Sequence, residues 1–248
     1  MARWMIACGD LALPLINLMT EDLQDSEVIH ADETPIQVLN EVNRRAEQMS
    51  YIWCMARGGL FPIVIYKYYN NRGKKAAADF LQGCHGIVVA DAYKVYEILS
   101  NINMFILAGC MAHCRRKFFD AYKILKKEIQ HKDDKRTLAE TALSFIKKLY
   151  EIERRAKSES PEKILEIREK ESIPILNQFH AWLLATGPMV LPKSHIGKAI
   201  SYALNQWDKL TVFSKNGKVP IDNNFIENKI RPFVIRSEER RVGKECRL

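Results

Sequence analysis

Three carboxylates stand where apolar runs close or turn. Asp32 lies inside "EVIHADETPIQVL" (27–39), Asp91 ends the run in "GIVVADAY" (86–93), and Glu227 lies in "IDNNFIENKIRPF" (221–233). A carboxylate in an apolar strand is costly unless it meets a partner or takes up a proton. A bound metal ion is one such partner for Asp32. Asp91 and Glu227 also have plainer readings. Asp91 can cap the segment after its strand. Glu227 follows Asn224 by three residues, a capping-box spacing at a helix start. Glu33 adjoins Asp32, so alternation along a strand sends it to the opposite face.

Two further groupings could do chemistry. "CMAHCRRKF" brings Cys110, His113 and Cys114 together, with Cys84 and His85 upstream. The set lacks the paired C-x₂-C spacing of a zinc site, and packed free thiols are the expectation. His113 is read either as a pocket residue or as a polar residue at a helix start. The second grouping is basic. Residues 115–136 hold nine Lys or Arg (115, 116, 117, 123, 126, 127, 132, 135 and 136) and four acids (120, 128, 133 and 134). A helix so charged can follow a phosphate backbone without reading sequence, or it can be a solvated face. Arg115 and Arg116 are the first candidates for phosphate contact, and Lys94, Lys229 and Arg231, which flank the acids, come next.

The elements that must position these residues fall into two halves. Up to about residue 110 the chain reads as an α/β sheet with an antiparallel first half. Strands are expected at 27–39, 51–59 and 61–70, with Gly58 and Gly59 turning the second hairpin. A helix over 73–83 stops at Gly83, and strands follow at 86–93 and 103–110 with a short segment between them. From about 111 to 215, apolar residues recur every three or four positions, which predicts helices. Ser160 caps one of them ahead of Pro161, and Leu143, Ile146, Leu149 and Tyr150 make a core stripe. Phe179, Trp182 and Trp207 are expected to be core. The opening "MARWMIACGDLALPLINLM" is apolar but broken by Gly9 and Asp10, and is read as a packed helix rather than a signal peptide.

The 248 residues are 47% apolar, with 11 Gly and 9 Pro, a globular composition rather than a disordered one. No apolar run approaches the roughly 18 residues of a membrane span, so a cytoplasmic protein is expected, with no membrane partner. The formal charge of +8 suits a polyanion without demanding one.

"HADETPIQVL" (30–39), "RGKKAAADFLQGCHGIVVADAYKVY" (72–96), "CMAHCRRKFFDA" (110–121) and "DNNFIENKIRPFVI" (222–235) together resemble the transposases of the insertion sequence 66 family. These belong to the wider DDE group. The resemblance covers roughly residues 25–235. It implies a ribonuclease H-like mixed sheet with flanking helices and a large all-helical insertion. It implies Asp32, Asp91 and Glu227 as the catalytic and metal-binding triad. The implied cofactor is Mg²⁺, two ions, with Mn²⁺ as a substitute, and the implied partner is DNA, both transposon ends and target. A homo-oligomer is compatible with it. Two metals can clamp the attacking and leaving oxygens of a phosphoryl displacement, which explains why three carboxylates suffice without a Ser, Cys or His nucleophile.

The expected layout is a helical lead (1–25), the first part of the core (26–120), the insertion (121–215), a returning helix with the third acid (216–235) and an unassigned tail (236–248). Family members carry an amino-terminal zinc-binding and helix-turn-helix region before the stretch matched here, and the tail matches nothing in them. The expected function is therefore metal-dependent DNA cleavage and strand transfer. Two alternatives stay open: a non-catalytic remnant that at most binds DNA, and a nuclease of the same fold.

Overall fold

The computed structural model describes residues 3–38, 41, 44–45, 47–103, 105–128 and 137–242. Side chains at 103, 127–128 and 235–242 lie outside this set, as do Lys132, Asp133, Asp134, Lys135 and Arg136 of the basic run and residues 243–248 of the tail. Two compact units emerge: residues 1–107 with 224–248, and residues 108–223. The helix that starts at Met111 packs with its helical neighbours in the second of these units.

The chain opens with α1 (Arg3–Gln24), followed by β1 (Val28–Gln37), β2 (Met49–Arg57), β3 (Ile63–Tyr69), α2 (Lys74–Phe80), β4 (Ile87–Ala90), α3 (Lys94–Asn103) and β5 (Ile106–Gly109). The sheet runs β3-β2-β1-β4-β5. β1 is antiparallel to β2 and parallel to β4, and β2 is antiparallel to β3. The expected hairpin turn is present, with Gly59 at φ +92°, a left-handed conformation that a side chain would strain. Gly83 ends the α2 region in the same way, at φ +81°. The segment between β4 and β5 is a ten-residue amphipathic helix, α3, rather than an undefined link.

Alternation along β1 and β2 divides the sheet into two faces. Ile29, Ala31, Trp53 and Met55 join a core with Phe80, Tyr96 and Leu99. Cys54 and Ala56 face the other way, against Ile226 and Ile230 of α10 (Asn224–Val242). Ile226 and Ile230 are four residues apart and so share one helix stripe. Phe225 adds a ring 5.1 Å from His30, and Phe233 one 4.9 Å from Tyr66. The Tyr66 hydroxyl donates to the Lys229 carbonyl at 2.9 Å. The chain thus returns after the helical unit to cover the second face of its own sheet.

The expectation that α1 is packed needs correction. It is helical, but Leu23 is its one buried residue, and Leu11 is 83% exposed. Apolar residues surround most of this helix, and only its C-terminal part, with Met19 and Leu23, packs against the sheet core. Its end is anchored through Leu23, the Asp22–Arg57 ion pair (2.7 Å) and a bond from Gln24 to the Gln82 carbonyl. No helix among the described residues is long and apolar enough to cross a membrane.

The second unit contains α4 (Met111–Glu128), α5 (Leu138–Ala156), α6 (Pro161–Ile167), α7 (Ile173–Thr186), α8 (His195–Asn205) and α9 (Trp207–Leu210). Thr137 and Glu140 close a capping box on α5, and Ser160 caps α6 ahead of Pro161. Phe118, Ile146, Leu149, Phe179 and Ile200 fill the core. Trp182 and Trp207 are half-buried against Phe179. Arg168 is buried with its charge matched by Glu153 (2.6 Å) and its remaining donors on the Phe213 and Asn216 carbonyls. The ends of the unit meet: Met111 N–H donates to the Ile221 carbonyl at 3.0 Å, and Asn223 N–H to Cys110 Sγ at 3.3 Å.

Candidate functional site

β1 carries Asp32 on the face covered by α10, opposite Cys54 of β2. The parallel ladder pairs Ile29 with Val88 and His30 with Val89. Continuing that register by two residues sets Asp91 beside Asp32, where neighbouring strands lie about 4.8 Å apart. Asp91 is the first residue past β4, half-buried, with its Oδ1 accepting from Tyr93 N–H at 2.9 Å. Glu227 lies in the first turn of α10, the helix packed on β1. Three acids separated by long stretches of sequence are therefore contributed by the central strand, its parallel neighbour and the returning helix.

Their proximity appears in the electrostatics. Burial raises the Asp32 carboxyl to about 7 from an ordinary 3.8, and the negative charges of Glu33, Asp91 and Glu227 push the same way. The Glu33 N–H bond to Asp32 Oδ1, 2.9 Å, pulls against them and does not win. Cys54 behind Asp32 is a buried thiol held up at about 12, mainly by burial and then by the Asp32 charge.

Glu33 points to the opposite face, as alternation requires, and is buried there. It accepts from Arg72 Nε at 2.5 Å and from the Tyr96 hydroxyl. Burial raises its carboxyl, while Tyr96 and Arg72 offset part of that rise. The Arg72 guanidinium stacks 3.8 Å from the Tyr93 ring centroid, and its Nη2 is 4.0 Å from Asp91 Oδ2. Arg72, Tyr93 and Tyr96 were not singled out in the sequence. The available signal was Glu33 itself: a second acid in one apolar strand requires a cation, and Arg72 opens the motif that contains Asp91.

Among the other candidates, Lys94 is the exposed first residue of α3, and Lys229 and Arg231 are exposed on α10, in the same unit as the three acids. Lys229 Nζ lies 5.5 Å from the Phe225 ring centroid. Arg115 and Arg116 are exposed on α4 and His113 is half-buried there, all in the other unit. Phe119 and Tyr122 accompany that basic face, with Lys123 Nζ 4.6 Å from the Phe119 centroid. Cys54, Cys84, Cys110 and Cys114 are buried thiols in no disulfide.

An all-carboxylate donor set suits hard divalent cations such as Mg²⁺ or Mn²⁺. The fit is supported by Asp32 itself. Its neighbours crowd negative charge around a buried carboxyl, an arrangement that favours either a proton or a cation. Asp32, Asp91 and Glu227 are the acids whose charges act together there.

The fold and site define a class: an α/β unit with acids on its central strand, that strand's parallel neighbour and a helix laid across them. The family model "Transposase IS66 family" matches residues 1–242, extending past both ends of the 25–235 stretch that carried the motifs. The chain belongs to the IS66 transposase family. It is 30% identical to Uncharacterized protein y4qI of Sinorhizobium fredii (strain NBRC 101917 / NGR234), over 95% of this chain and 44% of that protein. It is 28% identical to Uncharacterized protein y4hP of the same organism, over 88% of this chain and 42% of that protein. The chain therefore spans less than half the length of these curated relatives. No solved structure matches it.

Proposed function

We propose that the first unit is a ribonuclease H-like catalytic core of the DDE type, which cleaves DNA strands and transfers them to a target in a divalent-metal-dependent reaction. The observation that supports this reading is that the charges of Asp91 and Glu227 both act on the buried Asp32 carboxyl. The strand order supports it too, with one acid on the central strand and another directly after its parallel partner. Residues 108–223 are then an all-helical insertion between the second and third acids.

When bound, divalent ions would supply charge neutralisation and Lewis-acid polarisation at the reacting phosphate. The chain's own work is to hold ligands. Asp32 is fixed by its pairing with Cys54 of β2, Asp91 by its bond from Tyr93 N–H, and Glu227 by the packing of Ile226 and Ile230 on the sheet. Exposed Lys94, Lys229 and Arg231 lie in the same unit and are suited to phosphate oxygens. Arg115 and Arg116 offer a second, metal-independent hold on the DNA backbone from the helical unit.

Titrating Mn²⁺ into the chain and into Asp91→Asn by calorimetry tests the reading. Binding by the parent chain, weakened at least tenfold in the variant, is the expected result. A DNA duplex with a free 3′ end then separates joining from simple cutting. An Asp91→Asn chain that binds Mn²⁺ like the parent would sink the three-acid site.

A further inference from the structure

We propose that Arg72 is a positioning residue, whose guanidinium tethers Asp91 to the buried Glu33 and so fixes the second acid relative to the first. This rests on the metal-site reading above and adds to it a residue outside the three acids.

The tether has three parts. Glu33 is the anchor: its side chain is 1% exposed, one oxygen accepts from Arg72 Nε and the other from the Tyr96 hydroxyl. Because Glu33 adjoins Asp32 on one rigid strand, anything bound to Glu33 is registered to Asp32 as well. Arg72 is the link. It leaves the β3–α2 turn, and its planar group stacks on Tyr93 at 3.8 Å while the Tyr93 hydroxyl donates to its carbonyl at 2.5 Å. Residues 72 and 93 thus hold each other twice, through backbone and through side chain. The 91–93 turn is the third part, closed by Tyr93 N–H on Asp91 Oδ1 at 2.9 Å.

The Arg72–Asp91 distance separates tethering from simple ion pairing. At 4.0 Å, Arg72 Nη2 is beyond hydrogen-bond range of Asp91 Oδ2. Arg72 therefore orients the turn without occupying that oxygen. A lysine would keep the charge but lose the flat fork that stacks on Tyr93 and bonds Glu33. Charge alone predicts the reverse: removing a cation near a metal site should strengthen metal binding.

The test compares the parent chain with Arg72→Gln, Arg72→Lys and the double variant Glu33→Gln/Arg72→Gln, which replaces the buried ion pair by two neutral amides and so guards against simple unfolding. Mn²⁺ affinity is read by calorimetry, and exchange of the Tyr93 amide by hydrogen–deuterium exchange without metal. The expected result is Mn²⁺ affinity at least tenfold weaker in Arg72→Gln and in the double variant, with Arg72→Lys failing to restore it. Tyr93 exchange should quicken more than tenfold while the β2 amides keep their protection. Unchanged or tighter Mn²⁺ binding in Arg72→Gln, or unchanged Tyr93 exchange, overturns the tether. A parent chain that takes up no Mn²⁺ defeats the metal reading instead, and Tyr93 exchange then decides the tether by itself.

Discussion

Asp32 shows how far a single residue can be understood from its setting. A carboxyl raised to about 7 is protonated in the folded chain at pH 5 and ionised in the unfolded one, whose value stays near 3.8. The folded state therefore binds more protons between about pH 4 and 7, and its stability falls as pH rises through that window. A rise of about three pH units at about 1.4 kcal/mol each amounts to about 4 kcal/mol, fully incurred above pH 7. Asp32→Asn should flatten this fall, since its amide oxygen can still accept from Glu33 N–H. Urea unfolding without metal should find the variant roughly 2–4 kcal/mol more stable than the parent at pH 8, and no more stable at pH 4. Equal pH profiles would mean that Asp32 is not the titrating group. Mn²⁺ binding should also release protons at pH 6 and not at pH 8.5, because below 7 the ion displaces a proton from Asp32.

At the scale of elements, the acid pair depends on how closely β1 and β4 approach. Gly86, just before β4, is the contact point: a Cβ there would meet the Glu27 carbonyl oxygen at 2.4 Å, on a backbone that also accepts from Ile87 N–H. Gly86→Ala should destabilise the fold by about 2 kcal/mol or more through forced backbone displacement. It should also weaken Mn²⁺ binding more than a comparably destabilising change in the helical unit, such as Ile146→Ala. Parallel loss of affinity in both would show that the site follows global stability instead of strand register. Much at this scale was legible in the sequence. The strands around Asp32 and Asp91, the Gly58–Gly59 hairpin and the Ser160–Pro161 helix start each depend on neighbours in the chain. Arg72 was not legible, because its meaning arises only when β1, the β3–α2 turn and the 91–93 turn are brought side by side. α1 was misread for a related reason: apolar composition shows that a segment can pack, and only the shape of the sheet shows whether a face is offered to it.

The whole molecule divides its charge unevenly. Residues 108–223 hold 22 Lys or Arg against 14 Asp or Glu, while the rest of the chain holds 16 of each. The net +8 thus belongs entirely to the helical unit. Duplex DNA should bind with a strong salt dependence that originates in this unit. Replacing Arg115 and Arg116 with alanine should lower the slope of log affinity against log salt by about 1–2 and leave Mn²⁺ affinity as it was. Filter binding across a salt series measures the slope, and an unaltered slope would remove α4 from the interface. The composition reported the total charge, but the division into units was needed to show where it resides.

The first unit is not continuous in the chain: it stops at residue 107 and resumes at 224. A ribosome makes Asp32 and Asp91 early and reaches Glu227 only after the whole helical unit. At about 5–20 residues per second this interval is on the order of ten seconds. Throughout it the nascent chain has an uncovered sheet face and two acids without the third. On the proposed function, the order of synthesis is itself a safeguard: this unit cannot act on DNA before α10 has emerged and laid its acid on the sheet.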